Sequence, residues 1–339
     1  MNTKPNKQWR GKSNLVRLVL GICLAGFMSA GCQRPPAEKA HSASVTAALL
    51  RVQRQPNTPD SWNVLGQAYM QEKMYNDAYI AFKRAWTMNQ RSAAALRGLA
   101  EASLMLSNPQ VGMDWIKQAL AEDPRAGAAW GLRGRLKFAQ GDTAGAFADL
   151  EHAGKLGPLS MNDCLTLTNI YLAQKKNSQA VAQAEETVRR FPLEAQAHHN
   201  YAVLLERLGR ANDAEDELRL ALTCDPKLLK DKLLLAQLLV RENRNLDEAR
   251  SLALEVATKD PGDGTAAGVA ARALYLKGKK QAGLRELLQV QSQFHDNAIV
   301  LYWIYQEASE AGEKQTAHAA ASMLRQLMGG RAAAPPDKE

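Results

Sequence analysis

Residues 60–90 read DSWNVLGQAYMQEKMYNDAYIAFKRAWTMNQ, and the spacing inside that stretch decides the fold. Trp62, Leu65 and Tyr69 recur at i, i+3 and i+7, one face of a helix, and Ala78, Phe82 and Ala85, at i, i+4 and i+7, mark one face of a second helix. The polar run Gln71-Glu72-Lys73 and the pair Asn76-Asp77 separate the two. One such hairpin cannot bury its own apolar face, so a stable chain must stack several of them.

The rest of the chain supplies them. Pro124, Pro158, Pro192 and Pro226 stand 34 residues apart, and Pro261 follows after 35. A second column, Ala78, Gly112, Ala146, Ala180, Ala214, Ala249, Gly283 and Ala317, keeps the same period and needs the same single insertion, placed near Glu242-Asn243-Arg244-Asn245. Small residues in that column let two helix backbones approach closely, where a large side chain would overpack. The proline column ends each second helix, because proline lacks the N–H and disfavours helical geometry in the residue before it. Asp123-Pro124 and Asp225-Pro226 add turn chemistry at those ends.

Trp62, Leu65, Gly66, Tyr69, Ala78, Phe82 and Ala85 match, in order and spacing, the motif of the tetratricopeptide repeat family, which this chain resembles over residues 44–328. Gln90 stands where the family's closing proline is expected. A later unit repeats the pattern with Trp130, Gly134, Ala146, Ala153 and Pro158, and the next keeps Tyr171, Ala180 and Pro192. The last two units hold the period with Ala267, Ala271 and Gly283, then Leu301, Tyr305 and Ala317, without the large residues. The resemblance implies an all-α, right-handed solenoid of seven to eight helical hairpins, with residues 44–55 as a lone second helix at the N-terminal end and residues 329–339 as a disordered tail.

Composition agrees with helix: of 339 residues, 46% are hydrophobic but only 6% aromatic. The net charge of +8 is concentrated at the start, where Lys4, Lys7, Arg10, Lys12 and Arg17 meet no acid in residues 1–31; the remainder holds 38 basic against 35 acidic residues, too even for a nucleic-acid footprint. That basic stretch, the apolar run Leu18–Met28 and the small residues Ser29-Ala30-Gly31 read as a secretory signal, the run being shorter than a spanning helix requires. Small residues ending in Cys32 resemble the lipobox of bacterial lipoproteins, although Ser29 stands where leucine is usual. The resemblance implies lipidation of Cys32, a tether over residues 32–43 and, with Gln33 next, the periplasmic face of a bacterial outer membrane. Cys164 and Cys224 remain as free thiols expected to be buried.

No catalytic, cofactor or metal pattern emerges. Gly262-Asp263-Gly264 follows a helix rather than a strand, and Glu194 with His198-His199 lacks a third ligand nearby, so the histidines are expected at packing or groove positions. In tetratricopeptide arrays the first helices line a concave groove. Carried over by register, that groove includes Asn63, Arg97, Glu101, Arg135, Phe138, Leu165, Asn169, Leu172 and His199. Arg97, Arg135, Arg207, Lys230, Arg241 and Arg272 outnumber Asp60, Glu101 and Glu206, which suits an extended peptide with acidic or C-terminal carboxylate features; the same charges also serve simply as a soluble surface. A lipid anchor joined to such an array resembles the assembly lipoproteins of type IV and tight-adherence pili, which implies a non-enzymatic scaffold for pilus or secretin assembly. An adaptor for peptidoglycan enzymes or proteases, and a ligand-binding or enzymatic use of the C-terminal units, are the alternatives.

Overall fold

The computed structural model describes residues 42–262 and 264–328. The expected signal segment, Cys32, nearly all of the expected tether and the expected C-terminal tail lie outside them. Among the described residues there are seventeen helices and no strand. A lone helix, α1 (Ala43–Arg54), opens the array, and eight hairpins follow. Their first helices are α2 (Pro59–Gln71), α4 (Ala93–Met105), α6 (Gly127–Ala139), α8 (Met161–Ala173), α10 (Ala195–Arg207), α12 (Leu229–Arg241), α14 (Thr265–Leu276) and α16 (Ala298–Glu310). Their second helices are α3 (Tyr75–Met88), α5 (Pro109–Glu122), α7 (Thr143–Leu156), α9 (Asn177–Arg190), α11 (Ala211–Cys224), α13 (Leu246–Lys259), α15 (Lys280–Gln293) and α17 (Lys314–Leu327).

The turn inside every hairpin is the same device. One residue takes a left-handed backbone: Lys73, Ser107, Gly141, Lys175, Gly209, Asn243, Gly278 and Gly312. The N–H of the next residue then reaches back five positions, from Met74 to the Tyr69 carbonyl, from Asp142 to Lys137 and from Glu313 to Ala308, which satisfies a carbonyl that the helix end leaves open. The inserted residue falls where the periodicity places it: both Asn243 and Asn245 are left-handed, and Ala249 is still fully buried in column. Between units, the second helix stops before its proline. Asn89, Asp123 and Asp225 accept through Oδ1 from the N–H two residues on, at 3.1, 3.0 and 3.0 Å. Asn89 is why α3 ends on schedule although Gln90 replaces the proline.

Packing follows the small-residue column. Ala78, Ala146, Ala180, Ala214 and Ala249 are fully buried. At Gly112 a Cβ would lie 2.6 Å from Leu136 Cδ2 and 2.9 Å from the Ala100 carbonyl, so the helices already sit closer than alanine would tolerate. Gly66 and Gly98 make the complementary hollow: a Cβ at either would lie within 2.6 Å of the Phe82 ring, which wedges between α2 and α4. At the N-terminal end, Val45 and Ala48 of α1 cover Leu65, Ala68 and Ala81, as a lone capping helix should.

Candidate functional site

The concave side is fixed by which helices meet. Each first helix lies against the first helix of the next unit along α2, α4, α6, α8 and α10, and again along α12, α14 and α16, while among the described residues no pair of second helices approaches comparably. The first-helix layer is therefore the inside of the curve. Among the described residues only α10 and α12 lack a comparably close backbone approach, and side chains bridge them instead: His199 Nδ1 to Asp231 at 2.5 Å and Arg241 to Glu206 at 2.9 Å.

The structure alters the expected character of this surface. Arg135 is held by two carboxylates, Asp163 of the following unit at 3.0 Å and Glu101 of the preceding one at 3.3 Å. Asp163 is 3% exposed, and its other oxygen takes the Ser160 hydroxyl at 2.6 Å in the capping box of α8. Gly131 provides the room: a Cβ there would lie 2.6 Å from the same carboxylate. Arg272 pairs with Glu307 of the next unit. Burial pushes the Glu307 carboxyl up to about 7, against the opposing pull of Arg272.

Of the six basic residues assigned to the groove, Arg135, Arg241 and Arg272 are thus already engaged within the chain, and both Glu101 and Glu206 are their partners. Arg97, Arg207 and Lys230 make no hydrogen bond or ion pair among the described residues. Half of the expected basic set is therefore occupied within the chain, and Arg97, Arg207 and Lys230 are the members left to meet a partner's carboxylates. Asn63 is buried at 6% exposure with its Oδ1 unpartnered, and His199 is tied to Asp231. Phe138 and Leu172 are partly drawn into the cores between units. Asn169 is exposed and its side chain bonds to none of the described residues, and Leu165 is half-buried.

His198 proves to be a packing residue. Trp62 and Trp130, in the same repeat position, donate Nε1–H to the carbonyls of Pro56 and Pro124 at 2.7 and 2.8 Å, and His198 presents Nε2 to Pro192 at 3.1 Å. Its Nδ1 lies 2.7 Å from Glu217. No cluster of His, Cys, Asp or Glu able to hold a metal occurs among the described residues. Cys164 is buried and Cys224 half-exposed, a departure from the expected burial of both. Between α6 and α7, burial disfavours ionisation of Asp149, but Arg133 and Lys137 outweigh it and hold the carboxyl below its usual range. Shallow hollows open to solvent lie on the last unit, around Tyr305, His318 and Arg325, and where it meets the preceding unit, around Thr265, Phe294 and Ile299. Among the described residues no helix is long and apolar enough to cross a membrane.

Sequence reading missed the buried carboxylates Asp163, Asp231 and Glu307. A signal existed for Glu307 and for two further pairs, though not for Asp163 and Asp231: Arg272–Glu307 and Glu206–Arg241 are each 35 residues apart, and Glu101–Arg135 is 34. Opposite charges one period apart on first helices mark pairs between adjacent units.

Tetratricopeptide repeat models match residues 59–91 and 165–228. The array is an all-α solenoid of tetratricopeptide type. Among solved structures it is similar to a chain of the APC/C hetero-tetramer Cut9–Hcn1, with 16% identity over 69% of this chain and a TM-score of 0.58; this chain spans 47% of that one. A thermophilic tetratricopeptide protein of Thermus thermophilus, TTC0263, aligns over its whole length and 54% of this chain, with 21% identity and a TM-score of 0.51. Pseudomonas aeruginosa pilF aligns over 96% of its length and 63% of this chain with 22% identity, but its TM-score of 0.49 is too low to bear on fold or function. No curated protein matches. At these identities the likenesses define the fold alone.

Proposed function

We propose that this protein is a non-enzymatic scaffold whose first-helix layer holds an extended segment of a partner protein. The observation that carries the reading is that this inner face leaves Asp60, Arg97, Asn169, Arg207 and Lys230 without partners among the described residues while Glu101, Arg135, Glu206, Arg241 and Arg272 are locked into the array. Side chains of that kind contribute nothing to the fold and are available to a second molecule. The N-terminal sequence supports a place for the scaffold: a lipid on Cys32 at the periplasmic face of a bacterial outer membrane, with pilus or secretin assembly as the process served.

The test is to recover the intact protein and its Cys32→Ala variant from membranes and identify what accompanies each. Secretin or pilus components with the lipidated form are the expected result. Wall hydrolases or proteases in their place would replace the assembly role with that of an adaptor. Equal membrane fractionation of the two forms would remove the lipid anchor.

A further inference from the structure

We infer that the gripping point of this inner face is the junction of the fourth and fifth units, and that the partner segment it takes is extended, apolar and uncharged. The inference rests on the inner face being the partner-binding surface. Helix α8 carries one charged side chain in 13 residues, Asp163, and that carboxylate is buried and turned away to Arg135 of α6. On the other side, His199 and Glu206 of α10 are turned to Asp231 and Arg241 of α12. No ion pair joins α8 to α10 among the described residues, although the two helices touch.

What remains between the two belts of ion pairs is uncharged. Leu165, Leu172 and Val203 are half-buried and form a floor, and Asn162, Asn169 and Gln196 are exposed with side-chain amides that bond to none of the described residues. An acidic segment laid there would lose water without meeting a free cation, and would lie beside Asp163 and Asp231. The unpaired cations that flank it among the described residues are Lys175 and Lys176 in the turn after α8, Arg207 in the last turn of α10 and Lys230 in the first turn of α12. An apolar segment avoids that loss but still brings backbone N–H and C=O groups that require partners. Amide side chains both donate and accept, so they meet that need whatever the partner's sequence. Asn162 and Asn169 are about 10 Å apart along the α8 axis by helical rise, the span of about three extended residues.

The test is selection of a random-peptide phage library on the full-length protein, followed by titration of synthetic copies of the enriched peptides. Uncharged apolar peptides should be enriched. Their affinity should fall about tenfold or more on Asn169→Asp, which places a charge on an exposed side chain that the fold does not use, and should be indifferent to salt. Enrichment of acidic peptides that weaken with salt and with Arg97→Ala would overturn the inference while leaving the inner face as the binding surface. Apolar peptides unaffected by Asn169→Asp would refute the placement at this junction. Absence of any enrichment would overturn the partner-binding reading and this inference with it.

Discussion

Gly283→Ala and Gly154→Ala make the same chemical change and should act in opposite directions. At Gly283, on α15 facing α14, a Cβ would lie 2.6 Å from both the backbone nitrogen and the Cβ of Tyr275 and 2.7 Å from its Cα. No rotamer can relieve a clash with backbone, and carbon contacts settle at about 3.5–4.0 Å, so α15 must retreat by roughly 1 Å. That retreat loosens Leu284 and Leu287 from Ala271 and Tyr275 in the core of the last two units. Overpacking of this kind costs about 1–3 kcal/mol, while alanine returns up to about 1 kcal/mol of helix propensity. Gly154, exposed near the end of α7, has nothing closer than Leu159 Cγ at 3.8 Å, an ordinary contact. There only the propensity gain operates, about 0.5–1 kcal/mol. Because propensity enters both variants, their difference, about 1–3 kcal/mol, isolates the steric overlap. Urea unfolding followed by far-ultraviolet circular dichroism gives the two stabilities, and hydrogen exchange should locate the loss at α14–α17. Equal stability of the two variants would refute the close approach at Gly283.

Ala146→Leu, at a fully buried member of the small-residue column, should cost about 1–3 kcal/mol; an unchanged melting temperature would mean that the column does not set the distance between α6 and α7. Arg135→Ala should destabilise the array by about 3–5 kcal/mol because it strands the buried Asp163 carboxylate, whereas Arg97→Ala should stay within about 0.5 kcal/mol in the same thermal melts. Stability should also fall as pH rises, through Glu307. Its carboxyl titrates near 4.5 unfolded and about 7 folded, so the fold favours the neutral form. The contribution is complete below 4.5 and is lost as pH climbs through 7, up to about 3 kcal/mol at about 1.4 kcal/mol per pH unit. Glu307→Gln should flatten that slope in urea titrations at pH 5 and pH 8; an unaltered slope would assign it to other groups.

The fold was legible because its determinants are local and periodic. Trp62 to Ala85 define a hairpin within one period, and the column from Ala78 to Ala317 repeats it, including the position of the extra residue. The inner face was legible only in register. Position in a repeat says that Arg135 points inward; it does not say that Asp163 has folded under it, because that contact depends on the hole at Gly131. In the same way Asn63 was placed on the inner face but is buried there. Counting charges treats each as free, whereas the solenoid brings residues one period apart within bonding distance and neutralises half of the basic set. What survives that pairing could be read only after the helices were in place.

The extra residue in the turn between α12 and α13 also shows how the chain tolerates change. Residues 242–245 are exposed, two of them adopt left-handed backbone, and the helices on either side keep their places in the column. The connection is therefore a joint whose length does not govern register, and a reporter domain could be spliced there without shifting any hairpin. A cut at the same joint would leave a C-terminal fragment that begins, as the array itself does, on a lone second helix. Its reassociation with the N-terminal fragment would convert one internal seam of the solenoid into a measurable binding equilibrium.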